Sequence, residues 1–240
     1  MFIVASPRKD GDLETPEIET RDPVVRGRDR SSAGSLAVWS LEKLDFPPRP
    51  KGYVLKRAVD ICASALGLIF VSPLILAGWI AVKLTSPGPG IYWSERVGFA
   101  GRAFAMPKLR SMTDGAPRGP RETLAGADSH ITAVGAVLRR TSIDELPQLW
   151  SVLVGHMSLI GPRPLLTDDP GTVLRAARHP EVFSVRPGIT GLSQVNGRNH
   201  VHARRKARYD SVYARRCTFA MDVFILRRTA RVVLLAEGIL

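Results

Sequence analysis

Cysteine is nearly absent from this sequence, and so are the motifs that identify several common enzyme classes. Only Cys62 and Cys217 occur in 240 residues, which excludes a disulfide framework and indicates a reducing, cytosolic environment for the soluble part. The five histidines lack metal-ligand spacing. There is no Walker P-loop, no GxGxxG turn after a strand and no nucleophile elbow. These absences argue against a zinc site, a P-loop nucleotidase, a dinucleotide-binding domain and an α/β-hydrolase.

Acidic residues are also in short supply, with 22 Asp and Glu against 34 Lys and Arg and a formal net charge of +12. The imbalance is uneven along the chain. Residues 1–60 carry 11 basic and 10 acidic residues, whereas residues 61–240 carry 23 and 12. Such an excess predicts an anionic partner, whether nucleic acid, an acidic membrane surface or a phosphorylated substrate. Because the excess lies in the folded part and not in a tail, we expect no nucleic-acid partner.

Apolar periodicity is missing from residues 1–50, which mix charge with Pro, Gly and Ser and end in the sequence DFPPRP. A segment of this composition cannot bury enough apolar surface to offset the entropy lost on ordering. The sequence therefore predicts a disordered polar tail over residues 1–50.

Charge is absent from one long run, residues 61–82, which Lys56, Arg57 and Lys83 flank. As a straight helix this run would measure about 33 Å, enough to cross a bilayer core, and buried core helices are usually shorter. Two membrane arrangements stay open. A spanning helix tolerates the kink expected at Ser72-Pro73, whereas a sharp break there would let the segment enter and leave by the same face. Basic residues at both ends disfavour placing either cluster across the membrane.

The rest of the chain predicts an α-dominated α+β fold. Short apolar or alternating pieces at 90–97 and 102–112 predict strands or loops. Longer helical patterns cover residues 134–140, 146–154, 171–180 and 200–216. An apolar helix carrying arginines over residues 218–236 suits the membrane interface.

The sharpest local feature is the segment 141–150, TSIDELPQLW, which has two interpretations. Ser142 and Glu145 have capping-box spacing, and Asp144 could itself be an N-cap with Pro147 in the first turn. The same arrangement suits catalysis because a helix N-terminus favours phosphate. An ionised carboxylate beside arginines can attack phosphorus or bind a divalent metal. Adjacent helical side chains point in different directions, so Asp144 and Glu145 are expected to play different roles.

Basic residues in or near tight turns form a second candidate group. The sequence GPRP places Arg163 between two prolines, and a second Pro/Gly turn leads into Gln194 and Arg198. Rigid loops that aim a guanidinium suit bidentate phosphate recognition, although a solvated arginine in such a turn is common. Lys108 and Arg110, two residues apart on a possible strand, would share one face of that strand. They would either bind phosphate in the same way or remain solvated.

In their order along the chain, these motifs resemble those of the bacterial sugar transferases, the small monotopic phosphoglycosyl transferases that initiate glycoconjugate assembly. The resemblance extends from about Tyr53 to the end of the chain. The matching positions are residues 56–60, 72–73, 86–89, 96–98, 104, 108–112, 141–148, 157–164, 186–191 and 194–198. So many ordered matches make the resemblance far more specific than any single motif.

The resemblance implies a reaction. In this family an aspartate at the place of Asp144 attacks the β-phosphate of a UDP-sugar, UMP leaves, and polyprenyl (undecaprenyl) phosphate then takes the phosphosugar from the aspartyl intermediate. The glutamate at the place of Glu145 is its partner in proton removal or metal positioning. Mg²⁺ is required, and Asp144 is its predicted ligand. Such a step initiates exopolysaccharide, O-antigen or glycoprotein glycan assembly.

The resemblance also implies which residues meet the substrates and where the protein lies. Cations are needed to offset the repulsion between two anionic substrates, and the expected phosphate and substrate contacts are Arg139, Arg163, Arg198, Lys108, Arg110, Arg96 and Gln194. The family favours a re-entrant membrane helix over residues 51–84, broken at Ser72-Pro73, with a catalytic domain over residues 85–240. We expect interfacial helices, a site on the cytoplasmic face of the bacterial inner membrane, and contact with its lipid. Homo-oligomerisation stays open.

Two other functions compete with this one. One is a catalytically silent, membrane-bound scaffold that binds lipid phosphates, and the other is a Leloir-type glycosyltransferase that transfers the sugar without its phosphate. The leaving nucleotide separates them: UMP for the phosphoglycosyl transferase, UDP for the glycosyltransferase and neither for the scaffold. The intact pair Asp144 and Glu145 favours the first.

Overall fold

The computed structural model of the chain describes residues 53–116, 127–196 and 202–234, so the tail predicted over residues 1–50 lies outside the described part. Within these residues helices predominate and the sheets are small, which confirms the predicted α-dominated α+β class. The elements in chain order are α1 (Tyr53–Thr85), β1 (Ile91–Val97), β2 (Ala103–Leu109), α2 (Ala133–Thr141), α3 (Gln148–Val154), β3 (Ser158–Ile160), α4 (Pro170–Arg178), β4 (Gly188–Thr190), α5 (Leu192–Val195), α6 (Ala203–Arg216) and α7 (Phe219–Leu234). Short 3₁₀ turns include Ile143–Glu145, between α2 and α3.

Helix α1 runs for 33 residues, about 50 Å at 1.5 Å per residue, and its length and composition would allow it to cross a membrane. It continues through Pro73, so the break predicted at Ser72-Pro73 does not divide it into two helices. A proline leaves the carbonyl four residues earlier without its usual donor. Here that carbonyl belongs to Ile69, and Ser72 Oγ donates to it at 2.9 Å. The serine side chain thus replaces the hydrogen bond that Pro73 removes.

Both flanks of α1 pack against the same folded domain. Near its start, Tyr53 and Asp60 are buried, and Asp60 Oδ1 accepts a hydrogen bond from the backbone N–H of Leu159 at 3.1 Å. Near its end, Val82 is buried in a cluster with Leu109 of β2. Asp60 and Val82 therefore contact the same folded domain although they lie more than twenty residues apart along one helix.

The centre of α1 is mostly uncovered. Ile69, Phe70 and Leu74 are 69%, 79% and 44% exposed, and only 11% of the most apolar 18-residue window is buried. A soluble protein rarely leaves so much contiguous apolar surface open. This surface indicates membrane association.

Two small sheets organise the domain within the described residues. Strands β1 and β2 pair antiparallel, from Ile91 opposite Leu109 to Val97 opposite Ala103. Strands β3 and β4 pair in parallel, and a Cβ added at Gly188 of β4 would overlap the backbone of Gly161. This close approach of two backbones requires glycine and fixes the start of the GPRP loop.

A buried polar network joins α1 to the last two helices. The hydroxyl of Tyr213 in α6 donates to Asp222 Oδ1 of α7 at 2.7 Å and lies 2.9 Å from the carbonyl oxygen of Ile160. Lys56 Nζ of α1 donates to Asp222 Oδ2 at 2.8 Å. Helix α7 agrees with the apolar helix expected over residues 218–236, and Phe219 on it is 69% exposed. Its interfacial location stays a prediction.

Candidate active site

The chain turns sharply just before Asp144. Helix α2 ends at Thr141, and Ser142 has the left-handed φ of 59°, a conformation that non-glycine residues seldom adopt. The Ile143–Glu145 turn follows, and α3 begins after Pro147. Neither the turn nor α3 receives a side-chain cap. The capping interpretation of Ser142 and Asp144 is therefore wrong, because the left-handed Ser142 acts as the C-cap of α2.

Glu145 joins two cations from separate elements. Its Oε1 accepts from Lys108 Nζ of β2 at 2.8 Å and from Arg163 Nη2 of the GPRP loop at 3.2 Å. Burial alone would raise the pKa of Glu145, but Arg163 and Lys108 outweigh it and hold the pKa well below its usual range. The side chain of Arg163 is 44% exposed, so solvent weakens its share of this effect. Glu145 is thus an ionised bridge between β2 and the GPRP loop.

Asp144 lies beside this bridge but outside it. The residue is only 7% exposed, and no hydrogen bond or ion pair to its carboxylate is found among the described residues. The pKa of Asp144 is raised from 3.8 to about 6, mainly by burial. Lys108 lowers this pKa and the neighbouring Glu145 raises it. Arg139 and Arg163 also lower it. The carboxylate therefore ionises near neutral pH and keeps its oxygens available while cations stand close by.

Arg139 completes the cationic surroundings from the last turn of α2. Its Nε donates to Ser111 Oγ at 2.8 Å, and its charge lowers the pKa of Asp144. The site therefore draws on β2, α2, the turn after it and the GPRP loop. Arg96 lies at the edge, where Nε donates to Ser94 Oγ at 2.9 Å. Burial and then the neighbouring Arg163 lower its pKa.

The structure does not bring every predicted residue to this place. The guanidinium of Arg110 donates to the carbonyls of Ser86 and Pro87 at 2.8 and 2.5 Å, so it fastens the turn after α1. Gln194 Nε2 donates to the carbonyl of Ile189 at 2.9 Å and so supports the β4 region. Arg198 lies outside the described residues.

Sequence reasoning missed a buried ion pair behind Arg163. Arg175 of α4 donates through Nη1 to the backbone carbonyl of Arg163 at 2.8 Å and through Nη2 to Asp210 Oδ2 of α6. Arg175 and Asp210 are 5% and 0% exposed. One signal was present, because Asp210 is the one acidic residue in the strongly basic sequence of α6. An isolated carboxylate in such a helix indicates a buried partner.

The donor set limits how a metal could be held. Among the described residues, no group of three or more His, Cys, Asp and Glu side chains could hold an ion. Asp144 has uncommitted oxygens, whereas Glu145 is occupied by Lys108 and Arg163. Mg²⁺ is commonly bound through one or two carboxylates together with substrate phosphates and water. The residues present fit an ion of that kind.

Comparison with known proteins agrees with the sequence motifs. Residues 51–236 match the family described as bacterial sugar transferase. The chain is 40% identical over 200 residues to an undecaprenyl-phosphate galactose phosphotransferase of Salmonella typhimurium, covering 77% of this chain and 41% of that protein. It is also 40% identical over 188 residues to an uncharacterized sugar transferase, EpsL, of Bacillus subtilis, covering 78% and 90%.

A third relative is the UDP-glucose:undecaprenyl-phosphate glucose-1-phosphate transferase of Caulobacter vibrioides, which is 43% identical over 158 residues, covering 62% of this chain and 57% of that protein. The chain thus spans less than two thirds of two of these three relatives and nearly all of EpsL. The family match covers more than three quarters of the chain. This chain therefore belongs to the bacterial sugar transferase family.

Proposed function

We propose that this protein moves a sugar 1-phosphate from a UDP-sugar to polyprenyl phosphate and releases UMP, through a phosphosugar held covalently on Asp144. The proposal rests on one observation: two adjacent carboxylates, Asp144 and Glu145, have different partners. Glu145 is tied to Lys108 and Arg163, while Asp144 is buried among the same cations without a direct partner in the described residues. Relatives named for transferring galactose phosphate and glucose 1-phosphate to undecaprenyl phosphate support the same reaction.

In the first step an oxygen of Asp144 forms a bond to the β-phosphorus, and the bond from that phosphorus to the bridging oxygen breaks. The bridging oxygen leaves with UMP. In the second step an oxygen of polyprenyl phosphate attacks the same phosphorus and the carboxylate of Asp144 leaves. Both steps bring anions together, so Lys108, Arg139 and Arg163 stabilise charge that would otherwise keep the reactants apart.

Glu145 serves this reaction chiefly by position. Its carboxylate fixes Lys108 and Arg163 at the edge of the site, so both cations are oriented before substrate arrives. A preorganised cation stabilises a developing negative charge without first having to move. The resemblance led us to expect that Glu145 assists proton removal or metal positioning; its two ion pairs support instead a third role, the orientation of Lys108 and Arg163.

We include Mg²⁺ in the proposal, held by Asp144 together with the diphosphate of the substrate. When bound there it would offset phosphate charge. The chain supplies the other cations: Arg163 and Lys108 meet the transferred phosphate, and Arg139, whose charge also acts on Asp144, contributes a third positive charge.

The packing of α1 supports a re-entrant arrangement over a spanning one. A spanning helix would place Asp60 and Val82 on opposite sides of a bilayer core about 30 Å thick. Yet Asp60 accepts a hydrogen bond from β3 and Val82 packs against β2 of the same domain, whereas Ile69 and Phe70 at the centre of α1 are exposed. We therefore propose that α1 stays within the cytoplasmic leaflet of the bacterial inner membrane, with a bend at Pro73 that keeps the helix continuous and returns both of its ends to the same face. The site would then face polyprenyl phosphate at the membrane surface.

The test is to incubate membranes containing the full chain with polyprenyl phosphate and a panel of UDP-sugars and to identify the nucleotide released. We expect UMP, and one equivalent of UMP per protein when the lipid phosphate is omitted. Asp144→Asn should abolish both signals, whereas the exposed Asp114→Asn serves as a matched control and should retain them. Release of UDP would identify a glycosyltransferase, no release with any sugar would favour a scaffold, and full turnover by Asp144→Asn would exclude the covalent mechanism.

A further inference from the structure

The short helix α3, which follows the Asp144 turn, carries exposed apolar side chains. Trp150 and Val154 are 51% and 45% exposed, and their spacing of four residues places them on one face. Buried Gln148, Ser151 and Val152 occupy the side that faces the domain. Tryptophan is usually well covered in folded proteins. A half-exposed Trp150 beside a catalytic turn therefore calls for an explanation.

Helix α3 packs directly beside the uncovered centre of α1. Leu149 packs against Gly67 of α1, where an added Cβ would lie 3.4 Å from Leu149 Cδ1. The neighbours of Gly67 on α1, Leu66 and Phe70, are 57% and 79% exposed. Arg57 of α1 also donates to the carbonyl of Val152 at 2.7 Å. Helix α3 is thus fastened directly beside the apolar centre of α1, at the spacing of two packed helices.

The other tryptophans in the described part of the chain show the same property. Trp79 on α1 is 39% exposed, and Trp93 on β1 is 56% exposed. Trp79 also lies against Gly90, the residue before β1, so both belong to the region where α1 meets the hairpin. Tryptophan is enriched at membrane–water interfaces because its ring is apolar and its N–H can stay wet. The shared exposure of all three points to one common environment.

We infer that the Trp150–Val154 face of α3 is a lipid contact that sets the height of Asp144 at the membrane surface. The backbone connection is short and hydrogen-bonded, from Leu149 N to Leu146 O at 3.1 Å and from Trp150 N to Pro147 O at 3.0 Å. Asp144 and Trp150 are therefore held at a fixed separation, about 10 Å along the chain at helical rise. A tryptophan anchored in the interface places the carboxylate at the level of lipid phosphates. This inference rests on the proposed function for its catalytic consequence, but not for the lipid contact itself.

The contact can be measured without turnover. The experiment uses tryptophan fluorescence of the full chain in lipid nanodiscs. Trp150 is kept as the single tryptophan, and Trp39, Trp79 and Trp93 are replaced by Phe. We expect bromine-labelled phosphatidylcholine to quench Trp150 and aqueous iodide to quench it weakly. A matched probe, Val173→Trp on α4 in a chain without its native tryptophans, should show the reverse. Equal bromolipid quenching at the two sites, or strong iodide quenching of Trp150, would overturn the inference.

The catalytic consequence needs a separate measurement. Trp150→Gln should lower kcat/KM for membrane-borne polyprenyl phosphate by about tenfold, the order expected when a large apolar side chain no longer enters lipid. Trp150→Phe should retain most of the activity. With a short-chain, water-soluble prenyl phosphate in detergent, Trp150→Gln and the wild type should be equal. An equal loss with both acceptors would show that Trp150 acts through folding and not through height.

Two further outcomes are informative. If the wild type releases no UMP while Trp150 is quenched by bromolipid, the proposed function fails and the lipid contact stands. If Trp150 is shielded from both quenchers and Trp150→Gln changes the oligomeric state, the face is a contact between copies of the chain, and the inference is overturned.

Discussion

Asp144→Asn is expected to make the protein more stable at neutral pH while it removes activity. The structure holds a buried carboxylate whose pKa is raised from 3.8 to about 6, mainly by burial. Above pH 6 the folded protein must keep an unfavourable charge that the unfolded chain solvates easily. Moving a pKa from 3.8 to about 6 corresponds to about 3 kcal/mol as an upper limit. An amide of the same shape removes this penalty.

The direction of the pKa shift of Asp144 determines the pH range in which the two proteins differ in stability. Because the folded-state pKa is raised, the favourable contribution of Asp144 is fully present below pH 3.8 and is lost as pH rises through about 6. The advantage of Asp144→Asn should therefore be near zero below pH 4, about half developed at pH 5 and complete above pH 7.

The assay is thermal unfolding of the full chain in nanodiscs, with chelator and without nucleotide, at pH 5 and pH 8. For a domain of this size about 3 kcal/mol corresponds to an increase in Tm of roughly 6–12 °C. The variant should show the larger increase at pH 8. A lower Tm for the variant at pH 8, or an increase that does not depend on pH, would refute the reasoning.

Glu145→Gln is the matched control, because it changes the adjacent carboxylate in the same way. The pKa of Glu145 is lowered by Arg163 and Lys108 against the effect of burial, so its favourable contribution persists at every pH above its ordinary pKa. The substitution leaves Lys108, whose side chain is 16% exposed, without its carboxylate. We expect a lower Tm at both pH values, the opposite sign to Asp144→Asn.

Three further outcomes follow from the geometry around the site. Ser142→Gly should stabilise the protein by about 1 kcal/mol because it relieves the strain of a left-handed φ of 59°, whereas Ser142→Val should destabilise it; unfolding midpoints measure both. Gly135→Ala should destabilise by about 1–3 kcal/mol, since the new Cβ would overlap the carbonyl of Ser111, and an unchanged midpoint would contradict this packing. Arg175→Met should reduce kcat for UMP release by up to about a hundredfold because the carbonyl of Arg163 loses its donor; retention of full kcat would exclude a positioning role.

The family and the broad fold could be predicted from the sequence because their signals are local. An uncharged run of 22 residues predicts a long apolar helix wherever it occurs, and α1 spans Tyr53–Thr85 against a predicted 51–84. The strands are equally local, since the pieces at 90–97 and 102–112, expected as strands or loops, became β1 and β2, although their pairing as a hairpin was not predicted. The pair of adjacent carboxylates was located by its motif before any geometry was known.

Side-chain partners could not be predicted in the same way, because they depend on which distant elements meet. Lys108 and Arg110 are two residues apart, yet one bonds to Glu145 and the other to the turn at Ser86 and Pro87. The capping-box spacing of Ser142 was misleading for a related reason. That spacing assumes an extended residue before a new helix, whereas Ser142 is left-handed and ends the previous one.

The charges at the site support our proposal that a divalent cation takes part in the reaction. With Asp144 and Glu145 both ionised, Lys108, Arg139 and Arg163 leave this group with a single excess positive charge. An incoming diphosphate brings more negative charge than that and would raise the pKa of Asp144 further. A larger fraction of Asp144 would then be protonated at the pH at which it must attack. A divalent cation entering with the diphosphate reverses the change, so the reaction should depend on it most steeply near and below neutral pH.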